Sequence, residues 1–118
     1  MTAYALAHLH NTSTHEDVAG YLERIQATMD PYGGHFLIHG PSVDVVEGQW
    51  PGTLVLLEFP TLADAKGWYD SPAYREILAL RTDHIRGDVI LVEGVPPGHS
   101  AAKMAEALRL VAGGWRGR

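Results

Sequence analysis

The sequence predicts an α+β protein in which two helices cover one face of an antiparallel four-stranded sheet. The predicted elements follow the order strand, helix, strand, strand, helix, strand. In the segment 53–74 an apolar strand breaks at Pro60 and turns directly into a capped helix. This order makes two split βαβ units, the ferredoxin-like plan. With right-handed crossovers the strand order becomes 4-1-3-2, with both helices on one face.

The first half of the chain is predicted to form a strand, a helix and a second strand. Residues 3–10 alternate with period two, which predicts a strand whose alanines lie on one face and allow close approach by a helix. Thr14 followed by Asp17 indicates a helix start. An apolar stripe then continues the helix through Val18, Tyr21, Leu22, Ile25 and Met29. A second strand is predicted over 35–39, with Phe36 and Ile38 on one face and His35, Leu37 and His39 on the other.

The second half repeats the pattern after a long excursion. Residues 40–52 are rich in Gly and Pro and predict a partly extended loop, with room for a short hairpin. The strand 54–59 follows, then a helix capped by Thr61 that restarts at Ser71-Pro72. The last strand is predicted over 89–95. We expect one domain over 1–97 and a C-terminal helical extension over 98–118, capped by Ser100.

Composition excludes several classes of function. The 118 residues carry a net charge of −5 and no cysteine. This charge gives no electrostatic footprint for nucleic acid or an anionic membrane. The absence of cysteine excludes disulfides, thiolate metal sites and a cysteine nucleophile. No stretch is apolar enough for a membrane span, and we see no signal peptide, so we expect a cytoplasmic protein.

The predicted sheet leaves one face without helices, and that face is apolar. It should carry Tyr4 and Leu6, together with Leu54 and Leu56 or their alternates. Such a surface is too apolar to remain in water, so we expect a homodimer formed by these sheet faces. The C-terminal helix could instead cover part of the same face.

Several short motifs resemble one small bacterial family. They are Tyr32-Gly33-Gly34, FLIHG at 36–40, Glu47-Gly48, LEFP at 57–60, Trp68-Tyr69, Ser71-Pro72-x-Tyr74, Arg81 and Glu93-Gly94. Together they resemble the family of domain of unknown function 1330, within the dimeric α+β-barrel superfamily, over about residues 3–95. The resemblance implies a ferredoxin-like fold and a dimer, but no activity. Where the family usually has an arginine before glycine, this chain has His39-Gly40.

The candidate chemical groups can be sorted by the end of the sheet on which they lie. With the first and third strands as parallel neighbours, His8 and His10 lie near Glu58, and His35 comes to the same end. His39 and Glu93 then lie at the other end. A pair of histidines two residues apart could serve a metal or act as a general base. The alternative is a solvated pair at a strand edge, and without a firm third ligand we expect no metal.

Glu58 is a carboxylate in an otherwise apolar strand, so it must lie at the rim, be paired, or be protonated. Arg81 on the second helix is its predicted partner. The two could fix a polar substrate group, or Glu58 could act as general acid or base. They could equally be a structural ion pair that fixes the helix on the sheet.

Aromatic side chains could wall a pocket between helix and sheet. Trp68, Tyr69 and Tyr74 are the candidates, although such residues at helical spacing also form ordinary core. Two hypotheses follow. The first is a small cofactor-independent enzyme, isomerase- or monooxygenase-like, which acts on a small polar or aromatic metabolite. Glu58 and His39 would be catalytic there, with Arg81, the aromatic residues and His8 binding the substrate. The second is a non-catalytic dimeric module that binds a small molecule or only holds the fold.

Overall fold

The computed structural model describes residues 1–116. The chain forms eight main elements, which we label β1 Ala3–Leu9, α1 Glu16–Met29, β2 His35–His39, β3 Thr53–Phe59, α2 Leu62–Asp70, α3 Pro72–Thr82, β4 Gly87–Glu93 and α4 Ala101–Arg116. The sheet order β2-β3-β1-β4 confirms the ferredoxin-like prediction. The last strand begins two residues earlier than predicted, and residues 40–52 form no hairpin.

The helix starts follow the capping chemistry in the sequence, with one correction. Thr61 accepts from the backbone N–H of Asp64, and Ser71 accepts from that of Tyr74, as predicted. The start of α1 lies one residue later than predicted. His15 is the N-cap in place of Thr14, because its Nδ1 accepts from the backbone N–H of Asp17 at 3.0 Å.

The strand directions correct the predicted arrangement of sheet ends. β1 pairs with β3 in antiparallel register, so Tyr4 lies opposite Glu58 and His8 lies opposite Leu54. The crossover through α1 makes β1 and β2 parallel to each other. β3 lies between them and is antiparallel to β2, so it must also be antiparallel to β1. The prediction that β1 and β3 run parallel was wrong.

A β-bulge in β2 corrects the predicted faces of that strand. Phe36 pairs with Leu57 and His39 pairs with Val55, while Ile38 pairs with Leu56. The extra residue, Leu37, shifts the alternation by one position. Phe36 and His39 therefore lie on the helix-covered face, whereas simple alternation had placed them on opposite faces.

The core lies between this face of the sheet and the helices. Its largest fully buried side chains are Met29, Phe59, Trp68, Tyr74 and Ile77. Ala3 and Ala5 of β1 are buried beneath them, as the alternation predicted. Packing of α1 against α3 closes the layer above the sheet.

The other side of the sheet, which we call the open face, is apolar at its centre. Alternation places Leu6, Leu54, Leu56, Ile90 and Val92 on it, because their strand neighbours face the core. Ile90 is 53% exposed. The apolar stripe of α4 is also exposed, with Met104 at 62% and Leu108 at 70%. Among the described residues no helix has the length and apolar character that a membrane crossing requires.

Candidate functional site

A cavity of about 80 Å³ lies between the helices and the sheet. β1 supplies its floor with Ala5 and Ala7, and α1 and α3 supply much of its walls. One water needs roughly 10–15 Å³ of such space, so the cavity has room for several waters or for part of a small ligand that extends through its opening. Leu22 and His39 are exposed members of its lining and mark its opening to solvent.

The polar centre of the cavity is formed by two tyrosines and one arginine. The hydroxyls of Tyr21 on α1 and Tyr74 on α3 are 2.8 Å apart and buried. The guanidinium of Arg81 lies over the Tyr21 ring, 5.7 Å from its centroid. Tyr74 and Arg81 are seven residues apart on α3, which places them on one face of the helix. All three side chains therefore converge where α1 packs on α3.

Arg81 is a buried cation. It is only 8% exposed, and within residues 1–112, whose side chains are described, no carboxylate lies within ion-pair distance of it. Burial lowers the pKa of Arg81, but the neighbouring Tyr21 and Tyr74 phenols together raise it above its ordinary value. The guanidinium therefore carries a full positive charge inside a mostly apolar cavity.

Tyr21 is held in its neutral form. Burial is the main reason that its pKa lies far above the ordinary value, and the contact with Tyr74 raises it further. Arg81 opposes this shift but does not cancel it. At neutral pH the Tyr21 hydroxyl is thus a hydrogen-bond donor or acceptor, not an anion that could pair with Arg81.

Trp68 forms a wall of the cavity and also belongs to the core. It is 2% exposed, and its indole N–H donates to the Thr28 hydroxyl at 3.0 Å. Its ring lies 4.2 Å from the Tyr74 ring. Trp68 therefore lines the cavity and is at the same time an ordinary core residue.

His39 lies at the rim of the cavity because of the β2 bulge. Its ring stacks on Phe36 at 4.2 Å, and both rings line the cavity. Without the bulge, alternation would direct one of the two toward the open face. His39 thus lines the same cavity as Arg81, Trp68 and Tyr74.

Glu58 is not part of this site. It lies on the open face, since Leu57 and Phe59 on either side of it are core residues. Its carboxylate is 3.1 Å from Nε2 of His35, its cross-strand partner. Arg81 lies on the helix side of the sheet. The prediction that Glu58 and Arg81 contact each other was wrong.

His8 and Tyr69 also lie outside the cavity lining. His8 is on the open face and stacks on Trp50 at 4.3 Å, at the end of the sheet away from Glu58. The predicted grouping of His8, His10 and His35 with Glu58 is therefore wrong except for His35. Glu93 lies at the Glu58 end, opposite Ala3. Tyr69 lines an outer depression that shares Arg81 with the cavity.

Tyr21 is the residue of this site that the sequence did not single out. Its place in the apolar stripe of α1 marked it as core, and that position is correct. Its pairing with Tyr74 depends on the packing of α1 against α3, which leaves no local pattern in the sequence. A hydroxyl within an otherwise apolar stripe was the available signal, because buried phenols find hydrogen-bond partners.

Comparisons with solved structures identify the fold. A protein of unknown function from Rhodopseudomonas palustris aligns with a TM-score of 0.62 at 17% identity, covering 81% of this chain and 84% of that one. A dimeric ferredoxin-like protein of unknown function from Jannaschia sp. CCS1 gives 0.54 at 15%, covering 80% and 100%. A variant of SnoaB, a cofactor-independent oxygenase from Streptomyces nogalater, gives 0.52 at 9%, covering 84% and 97%.

Comparison with curated proteins finds no match. The sequence profile of one family matches residues 2–95, which include every strand of the sheet and every residue that lines the cavity. The chain therefore belongs to the family of domain of unknown function 1330.

Proposed function

We propose that the protein is a cofactor-independent enzyme that binds a small aromatic anion in the cavity and moves a proton on it. The observation that carries this proposal is the buried Arg81 guanidinium without a carboxylate partner in the described part of the chain. A buried cation is costly unless an anion approaches it. A carboxylate or enolate of a ligand would supply that anion.

The lining of the cavity determines the rest of the ligand. Trp68, Tyr74 and Phe36 present aromatic surface, and Ala5 and Val55 add aliphatic surface. Such a lining suits a ring or a short apolar chain, with its charged end at Arg81 and the tyrosine hydroxyls. The ligand class is therefore a small aromatic acid or the enolate derived from one.

Proton transfer is assigned to His39. Imidazole is the most frequent general base in enzymes, and His39 lines the cavity beside Phe36. In this role His39 takes a proton from a carbon next to a carbonyl. Arg81 and the phenol hydroxyls then stabilise the negative charge on oxygen, as an oxyanion site does. The fold is shared with a cofactor-independent oxygenase, which agrees with this class of chemistry.

The competing function is a non-catalytic dimeric binding module with the same cavity. The exposed position of His39 favours it, because a base at a rim has water as a competing proton donor. In both cases we propose that two chains associate through their open faces. Exposed Ile90 and Val92 on that face support this association.

The test uses benzoate and its neutral analogue benzamide. Binding is followed by NMR through the Trp68 indole N–H, which belongs to a side chain lining the cavity. We expect benzoate to bind at least tenfold more tightly than benzamide, and Arg81→Met to remove the difference. Equal binding of both ligands, or an unchanged preference in the variant, would refute the anion site.

Phenylpyruvate distinguishes the enzyme from the binding module. We expect the protein to accelerate exchange of the benzylic protons of phenylpyruvate, which lie next to its keto group, with deuterated water. His39→Asn should slow this exchange at least 100-fold, the usual contribution of a general base. The variant should still bind benzoate. Binding without any acceleration of exchange would establish the binding module instead.

A further inference from the structure

Two imidazoles and one carboxylate converge at the His8 end of the open face, apart from the cavity. His8 on β1 lies directly opposite Asp88 on β4. His10 follows two residues later, with its ring centroid 5.0 Å from that of His8. Its Nε2 is 2.9 Å from Oδ2 of Asp88. One ligand atom from each of the three residues lies within 4.8 Å of the other two.

His8 lacks a partner in this cluster. Its Nε2 is buried, and no hydrogen-bond partner for it exists among the residues that the structure describes. The ring is held in place by Trp50, which stacks on it with an interplanar angle of 25°. Gly52 lies so close that a Cβ there would be 2.7 Å from Nε2. A buried imidazole nitrogen without a hydrogen-bond partner requires an explanation, and coordination of an ion supplies one.

The donor set indicates the class of ion. Two imidazole nitrogens and one carboxylate oxygen suit first-row transition ions such as Zn²⁺, Fe²⁺ and Co²⁺, whereas Mg²⁺ and Ca²⁺ prefer oxygen ligands. Ligands of a tetrahedral Zn²⁺ with ordinary bond lengths lie roughly 3.4 Å apart. The His10 and Asp88 side chains are 42% and 75% exposed, which leaves them room to adjust toward that spacing.

We propose that His8, His10 and Asp88 bind one divalent transition-metal ion per chain. All three ligands come from the same chain, and the site keeps at least one position open for water or another ligand. This proposal is independent of the cavity and of its proposed ligand, because the two sites lie on opposite faces of the sheet.

A second group of similar composition provides the comparison. His15, Asp17 and His84 also lie within ligand distance of one another. Here each side chain already has a structural role. His15 caps α1, His84 is 2.9 Å from the Asp17 carboxylate, and the two imidazole rings stack at 3.8 Å. We therefore expect the ion at the His8 group and not at this one.

Calorimetric titration of the chelator-treated, tag-free full chain with Zn²⁺ tests the site. We expect one ion per chain with a dissociation constant in the micromolar range or tighter. His10→Gln and Asp88→Asn should each weaken binding at least tenfold, and His84→Gln should leave it unchanged. Asp88 and His10 are exposed, so these variants should fold; circular dichroism checks this. No binding, or binding lost only in His84→Gln, would overturn the proposal.

Trp50 provides an independent readout of position. Co²⁺ bound beside its ring should quench its fluorescence, and the quenching should be lost in Asp88→Asn. In Trp50→Phe the quenched component should be absent, while calorimetric binding of Co²⁺ persists. Binding of Co²⁺ without quenching of Trp50 would place the ion elsewhere and refute the assignment.

Discussion

Replacing Arg81 by methionine separates a binding role from a structural one. Methionine keeps much of the length and volume of the arginine stem and removes the charge. The guanidinium has no carboxylate partner within the described side chains, and it is 8% exposed. If Arg81 exists to bind an anion, the ligand-free protein should not need its charge.

The expected magnitude follows from two opposing contributions. Burying an ion costs several kcal/mol even after the surroundings relax. The cation–π contact with the Tyr21 ring returns about 2 kcal/mol where it is desolvated, and the neighbouring Tyr74 phenol adds to this. These nearly cancel, with the balance against the charge. The substitution also leaves the Tyr21–Tyr74 hydrogen bond in place. We therefore expect Arg81→Met to leave the free energy of unfolding unchanged or to raise it by up to about 3 kcal/mol.

Urea unfolding of the ligand-free protein measures this change. With a typical slope of about 1–3 kcal/mol per molar urea, a gain of 2 kcal/mol raises the midpoint by roughly 0.7–2 M. Both proteins are compared at one concentration, because association would add to the apparent stability. Arg75→Met on the same helix is the control. Arg75 is exposed and pairs with Asp70, so the change should stay within about 0.5 kcal/mol. A loss above about 2 kcal/mol in Arg81→Met would show that the charge is structural.

Two further predictions concern Tyr21 and the open face. Burial raises the pKa of Tyr21 in the folded state, so the contribution of Tyr21 to stability is complete below the unfolded pKa near 10 and declines above it by about 1.4 kcal/mol per pH unit. In unfolding measured between pH 10 and 11, Tyr21→Phe should flatten this decline and Tyr4→Phe should not. Equal declines in the wild type and both variants would contradict the assignment. Leu56→Asp at the centre of the open face should convert the dimer to a monomer in light scattering. The control Val46→Asp, at a residue of the 40–52 loop that is 90% exposed, should leave the dimer intact. A wild-type monomer at micromolar concentration would exclude the proposed association.

Local chemistry in the sequence determined most of the elements correctly. The caps at Thr61 and Ser71 depend on side chains that bond to backbone three residues away, so a short stretch of sequence contains the whole interaction. The open face could also be predicted, since period-two alternation in β1 and β3 assigns each residue to a face. The strand order followed from the handedness of the crossovers.

Relations between strands were harder to predict. The position of Glu58 relative to His8 depends on the direction of β3 against β1, and treating the two as parallel reversed the grouping. The face of His39 depends on one bulged residue, Leu37, which no turn residue or proline marks in the sequence. A single shift in register exchanges the two faces of a strand. Arg81 was predicted to pair with Glu58 because its helix follows directly on β3. Alternation in β3 instead places Glu58 on the open face, and Arg81 is found with Tyr21 and Tyr74.

The alanines of β1 show how one sequence feature can support two structures. Small side chains on the core face predicted close approach of a helix, and Ala3 and Ala5 are indeed buried. Ala5 and Ala7, however, form the floor of the cavity. The bulky Trp68 and Tyr74 rings pack against each other above the sheet, and space remains between them and the alanines. Ala5 and Ala7 are too short to fill the space below the Trp68 and Tyr74 rings. The Arg81 charge is held in that space.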